Sequence, residues 1–144
     1  ERLELLVDTA QKEGLKKSLE ISAADYARAW QKKMEITRAI LAQFEKFDAL
    51  VSPSLVIEAI TLDTNLQTAF RRRGGMTVLG ALCGVPQLTV PMGFGANKMP
   101  LGFSFTSNLF AENTILQMGM LFQRETDWHR RKPQIVEPSL RGGL

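Results

Sequence analysis

The stretch GVPQLTVPMGFGANKMPLGFSFT, residues 84–106, decides the fold. Gln87, Leu88, Thr89 and Val90 lie between Pro86 and Pro91, while Leu101, Phe103 and Phe105 alternate with Gly102, Ser104 and Thr106. Both segments therefore read as strands, the second with the two-residue period of a sheet that has one apolar face. Between them Gly95, Asn97 and Pro100 supply turn residues, so an antiparallel hairpin is expected with its turn within Gly93 to Pro100.

A hairpin with an apolar face needs a cover, and helical patterns flank it on both sides. Upstream, Met76, Leu79, Leu82 and Cys83 recur at helical spacing after Gly74-Gly75. Gly84 and Pro86 end that segment, which predicts a short buried helix in which Gly80 and Ala81 allow close packing. Downstream, a helix over Ala111 to Glu125 places Ile115, Met118, Gly119 and Phe122 on one side, suited to covering the hairpin.

Farther upstream, Ser22 has the oxygen an N-cap needs and Asp25 puts negative charge in the first turn of a helix from Ala23 to Lys46. Such a helix is roughly 36 Å long at 1.5 Å per residue. Tyr26, Trp30, Met34, Thr37, Leu41 and Phe44 form its apolar stripe, which reads as core or subunit packing, with Lys32, Lys33, Glu35 and Arg38 toward water. Phe47 to Val51 suits a strand stopped by Ser52-Pro53 and expected inside a sheet. Leu3, Leu6, Val7 and Ala10 suggest a first short helix that Gly14 caps. Residues 54–75 read mostly as loop. Past Trp128 the periodicity is lost, so one domain is expected over 1–132 and a mobile tail over 133–144.

Composition narrows the function classes. With 44% apolar and 23% charged residues, a 144-residue chain has the makings of one globular domain with a core. The net charge of +3 is too small to imply a polyanionic partner. The longest nearly uncharged stretch, Gly74 to Asn97, is broken by glycines and by Pro86 and Pro91, so no membrane-spanning helix is expected. The chain opens on Glu1 with no leader pattern, which reads as a cut rather than a gene start. One cysteine, Cys83, forms no internal disulfide, and a cytoplasmic location is expected.

No complete catalytic centre can be assembled from these residue types. His129 is the only histidine and lies near a loose end, which argues against a serine–histidine–acid triad. One cysteine and one histidine do not make a zinc site, and no cofactor motif is present. Cys83 falls on the apolar side of a buried helix, the setting of an inert thiol. Arg71-Arg72-Arg73 before Gly74-Gly75 is the strongest local charge and has the chemistry to hold a phosphate or carboxylate, but it reads first as a solvated loop. Only Phe70 accompanies it as a stacking residue, so nucleic-acid binding is not expected.

Three motifs in order carry a family resemblance. Phe47-Asp48-Ala49-Leu50-Val51-Ser52-Pro53-Ser54 resembles the segment of the amidase-signature enzymes in which an aspartate and an apolar run precede Thr-Pro-Thr. Residues 84–93 resemble that family's Gly-x-Pro strand ending in Val-Pro-x-Gly, and residues 99–103 its x-Pro-x-Gly-apolar strand. The helix from Ala111 to Glu125, with Trp128-His129 close behind, corresponds to the family's final helix, so the resemblance extends from about Ser22 to Pro133.

The resemblance implies an α/β fold, the C-terminal portion of a large α/β/α architecture with a mixed sheet and covering helices. It also implies hydrolysis of amide carbon–nitrogen bonds by acyl transfer to a serine assisted by a second, cis-linked serine and a lysine. Those three residues lie upstream of the matching region, so no catalytic residue is assigned in this chain. The helix before Gly84 lines the acyl pocket in some members, which makes Met76, Thr77 and Gly80 the candidate substrate-binding wall. Ala81 stands where an asparagine is common, and Gln87 replaces a usually small residue. The expected partners are the missing N-terminal amidase portion, a small amide substrate and a second copy of the chain. Two alternatives stand beside this: a noncatalytic module docking through Tyr26, Trp30 and Met34, and a piece of an amidotransferase A-like subunit contacting tRNA.

Overall fold

The computed structural model describes residues 3–64 and 78–132. Strand β1 (Ala49–Pro53), β2 (Gln87–Phe94) and β3 (Pro100–Ser107) form an antiparallel sheet in the order β1-β3-β2. The hairpin expected from residues 84–106 is β2–β3, with Leu88 opposite Phe105 and Thr89 opposite Ser104. Its turn is closed by the Gly95 N–H donating to the Met99 carbonyl at 2.9 Å and the Lys98 N–H to the Gly95 carbonyl at 3.0 Å, with Lys98 at φ 59°.

Strand β2 runs through Pro91 instead of stopping there. It can do so because β2 is an edge strand of this sheet, where a missing N–H need cost no ladder bond, and because the register slips between Pro91 and Gly93. The same reasoning corrects the expectation for β1. That strand pairs with β3 alone among the described residues and lies at the other edge, where Pro53 is tolerated opposite Phe103. The interior strand is β3, whose proline, Pro100, is its first residue.

Helices α1 (Thr9–Ser18), α2 (Ala23–Leu41), α3 (Val78–Cys83) and α4 (Glu112–Glu125) complete the chain, with short 3-10 turns at Leu3–Leu5, Ala42–Glu45 and Trp128–Arg130. Helix α1 begins later than its leucine spacing suggests. The Asp8 carboxylate accepts from the Ala10 and Gln11 amides and starts the helix there, leaving Gly14 inside it, not at its end. Helix α2 begins as read, with the Ser22 hydroxyl accepting from the Asp25 amide at 3.0 Å, and tightens into the 3-10 turn over its last residues before Lys46. Helix α3 ends at Gly84, whose φ of 72° suits the left-handed cap position and whose N–H reaches the Gly80 carbonyl at 2.9 Å. The expected start of α3 at Gly74 to Met76, and the tail over 133–144, lie outside the described residues.

The core sits between the hairpin and α4. Val90, Phe105 and Ile115 are buried there, with Leu88, Phe103, Met118 and Phe122 packed around them. Phe103 meets both Phe105 and Phe122 edge to face at 4.8 Å. Gly119 makes the close approach possible, since a Cβ there would stand 2.5 Å from Leu88 Cδ2. On the stripe that runs along α2, the later residues Thr37, Leu41 and Phe44 are half-buried, but the N-terminal part finds no such cover among the described residues. Tyr26, Trp30 and Met34 keep 64%, 51% and 40% of their surface exposed, so they are not core residues of this chain.

Candidate functional site

Alternation along β3 sends Phe103 and Phe105 toward α4 and leaves Gly102, Ser104 and Thr106 on the opposite face. Register then places Thr89 and Ser52 beside Ser104, and Gln87 beside Thr106, on that second face. Hydrogen bonds tie these strands through their polar side chains. Ser104, fully buried, shares hydrogen bonds with the Ser54 hydroxyl at 2.9 Å and the Thr89 hydroxyl at 2.8 Å. The Gln87 side-chain amide donates to the Thr106 hydroxyl at 2.9 Å, and the Ser107 hydroxyl donates to the Asp48 carbonyl at 2.6 Å.

Two segments cover parts of this polar face. The segment after β1 runs from Ser54, whose N–H donates to the Gly102 carbonyl at 2.9 Å, to Glu58, whose carboxylate accepts from the Asn97 N–H at 3.0 Å. At the other end α3 approaches so closely that a Cβ on Gly80 would stand 3.1 Å from both Cβ and Oε1 of Gln87. The glycine expected in the pocket wall is thus set against the glutamine that departs from the family pattern. Met76 and Thr77, the other two expected wall residues, lie outside the described residues, as do Arg71 to Arg73.

This arrangement orders a surface but does not activate a nucleophile. A serine attacks an amide only when a base takes its proton and donors hold the developing oxyanion. Among the described residues the Ser104 side chain bonds to the hydroxyls of Ser54 and Thr89 and is shut from solvent, so it is a tie between strands. Cys83 is a buried free thiol, as its place on the apolar side of α3 suggests. No cluster of three or more histidine, cysteine or carboxylate side chains capable of holding a metal occurs among the described residues. His129 sits on the 3-10 turn after α4.

The outer face of α2 is a second feature. Tyr26 and Trp30 stack with ring centroids 6.4 Å apart, and the Lys33 ammonium lies 4.5 Å from the Trp30 ring. Sequence reasoning found this stripe and missed the hydroxyl ties. The signal for them was the alternation of Ser104 and Thr106 with phenylalanines, read only as one apolar face. Ser54 gives no local signal, because its bond to Ser104 spans fifty positions of sequence.

Comparison with known proteins places the chain. The A subunit of glutamyl-tRNA(Gln) amidotransferase from Desulforudis audaxviator (strain MP104C) is 37% identical over 112 residues, covering 76% of this chain and 23% of that protein. Its counterpart of the same name from Synechococcus sp. (strain JA-2-3B'a(2-13)) is 32% identical over 121 residues, covering 83% and 24%. The chain therefore spans about a quarter of the length of the curated relatives it matches. A crystal structure of an amidase superposes with a TM-score of 0.70 at 22% identity, covering 82% of this chain and 29% of the other, so the fold is that of the amidase-signature enzymes. With the Amidase family model matching residues 3–116 as well, the chain belongs to the amidase family.

Proposed function

We propose that this chain is the C-terminal part of a cytoplasmic amidase-signature hydrolase that cleaves the carbon–nitrogen bond of a small linear amide, and that it supplies scaffold and pocket wall. The nucleophilic serine, its cis-linked serine and the lysine base belong to the remainder of the enzyme, which is the chain's first partner. The observation that carries this reading is the pairing of an amidase fold with a polar sheet face whose serine is buried against two hydroxyls, with no base beside it among the described residues. This reading assigns the substrate-binding wall to Met76, Thr77 and Gly80; Gln87, pressed against Gly80, narrows the space beside that glycine. The same reading includes pairing of the enzyme with a second copy of itself.

Co-expression with the complementary segment of the Desulforudis audaxviator relative tests this. The chain alone should neither hydrolyse amides nor react with a fluorophosphonate, and the folded complex should hydrolyse members of a panel of linear amides. A well-folded complex without turnover, or stoichiometric labelling of a serine in the chain alone, would overturn the reading.

The names of the relatives favour a second reading, an amidotransferase A-like subunit that releases ammonia from an amide for transfer onto charged tRNA. Glutamine hydrolysis that rises when charged tRNA is added would select it. The exposure of Tyr26, Trp30 and Met34 favours a third, a noncatalytic module docking through that face. A monomer in solution whose size is unchanged by the complementary segment would exclude docking between the two.

A further inference from the structure

A groove of about 780 Å³ opens between the β2–β3 turn and the chain that leaves α4, a volume within the usual range of about 300–1,000 Å³ for small-molecule sites. Its apolar surface comes from Pro91, Phe94, Met99, Pro100 and Trp128. Its charged and ionisable groups are Lys98, His129, Arg131 and Lys132, and no acidic side chain among the described residues lines it. We propose that this groove binds a small organic anion with a flat apolar body, such as an aryl carboxylate or aryl phosphate.

Local geometry builds the groove and sets its charge. Gly93, beside the register shift, holds a φ of 148° that residues with side chains rarely adopt, and the Trp128 indole lies against it at ordinary van der Waals distance, 3.8 Å from where a Cβ would stand. Phe94 meets Trp128 edge to face at 6.0 Å. The Arg131 guanidinium stacks 4.1 Å over the indole and pairs with Asp127 at 3.1 Å, so much of its charge is already met. The hydrogen bond from Arg131 holds the Asp127 carboxyl below its ordinary range, which keeps that pair ionised. The other acid beside the turn, Glu58, accepts from the Asn97 N–H.

Lys98 and Lys132 remain. Their ammonium groups make no ion pair or hydrogen bond among the described residues, and they border the half-exposed Phe94 and Met99. An inorganic anion would meet the charge and leave the rings wet. A neutral ring would cover Phe94 and leave two ammonium groups without a counter-charge. A ring bearing a carboxylate or phosphate satisfies both, lying across Phe94 and Met99 with its charge between the lysines. A single nucleic-acid strand fits less well, because the Trp128 ring is already contacted by Arg131, Phe94 and Gly93. This site is independent of the amide-hydrolysis reading.

Calorimetric titration of the 144-residue chain with 2-naphthoate and with the neutral 2-naphthalenemethanol tests the proposal, with NMR of the Trp128 indole N–H to locate binding. The expected result is saturable binding of the carboxylate at Trp128, about tenfold or more tighter than the alcohol. The Lys98→Glu/Lys132→Glu variant, changed only at exposed positions, should abolish or invert the preference for the carboxylate, and Phe94→Ser should weaken both ligands. Equal affinity for the two ligands in the unmodified chain, or unchanged naphthoate binding in the charge-reversed variant, would overturn it. So would lysine-dependent binding of single-stranded RNA without binding of naphthoate.

Discussion

Helices α2 and α4 carry similar apolar stripes and meet different fates. On α4, Ile115 is buried and Met118 and Phe122 pack against Val90, Phe103 and Phe105. On α2, the longer helix with the larger aromatic side chains, no residue is buried. The difference lies in the surface each faces. Helix α4 has the hairpin, whose alternating residues and Gly119 admit close contact, whereas α2 meets chiefly the short α3 among the described elements. Amphipathic spacing states that a helix has a face to bury. It does not state that the surface to cover that face lies in the same residues.

The comparison can be broken most directly by truncation on each side. Phe105→Ala removes the centre of the α4 core and should destabilise the chain by about 3–5 kcal/mol, read as a fall in the denaturation midpoint with urea. Ser104→Ala removes the buried tie between strands, but Thr89 is exposed and Ser54 half-buried, so water takes up their lost bonds and the cost should be about 0.5–1.5 kcal/mol by the same measurement. Trp30→Ser should change stability by less than about 0.5 kcal/mol, because the ring is half in water. Its effect should show instead as lower self-association in light scattering, and a loss of stability as large as that of Phe105→Ala would mean that α2 packs within the chain.

The smallest effect concerns the start of α2. Hydrogen bonds from the Ser22 hydroxyl and from Arg28 hold the Asp25 carboxyl below its ordinary range. A carboxyl depressed in the folded state stabilises it above the unfolded value of about 4, and that contribution is lost as pH falls through the folded value. Asp25→Asn should therefore lower helix content slightly at pH 7 and leave it matched to the unmodified chain near pH 2, as followed by circular dichroism. Exposure keeps the effect small.

Much of the fold could be read along the chain because its signals are local. The turn residues and alternating phenylalanines of residues 84–106, the Ser22 cap and the glycine after α3 act within a few positions of themselves, whereas Pro91 does not end its strand as expected. Other features depend on distant residues. The placement of β1 at an edge reflects the pairing of Ala49–Pro53 with β3 some fifty residues on, which no local pattern around Pro53 encodes. The start of α1 was legible in principle from Asp8, but leucine spacing competed with it.

By itself the sequence determined the hairpin, the helix that covers it, the start of α2 and the ordered motifs of the amidase family, because periodicity, caps and turn residues act through neighbouring backbone. Only the tertiary structure decided which apolar faces are covered, that Ser104 is spent on hydroxyl ties, and that Lys98 and Lys132 border one groove with Phe94 and Trp128. Those outcomes depend on which surfaces the folded chain brings within contact distance, and contact between residues far apart in sequence is set by packing, not by local propensity.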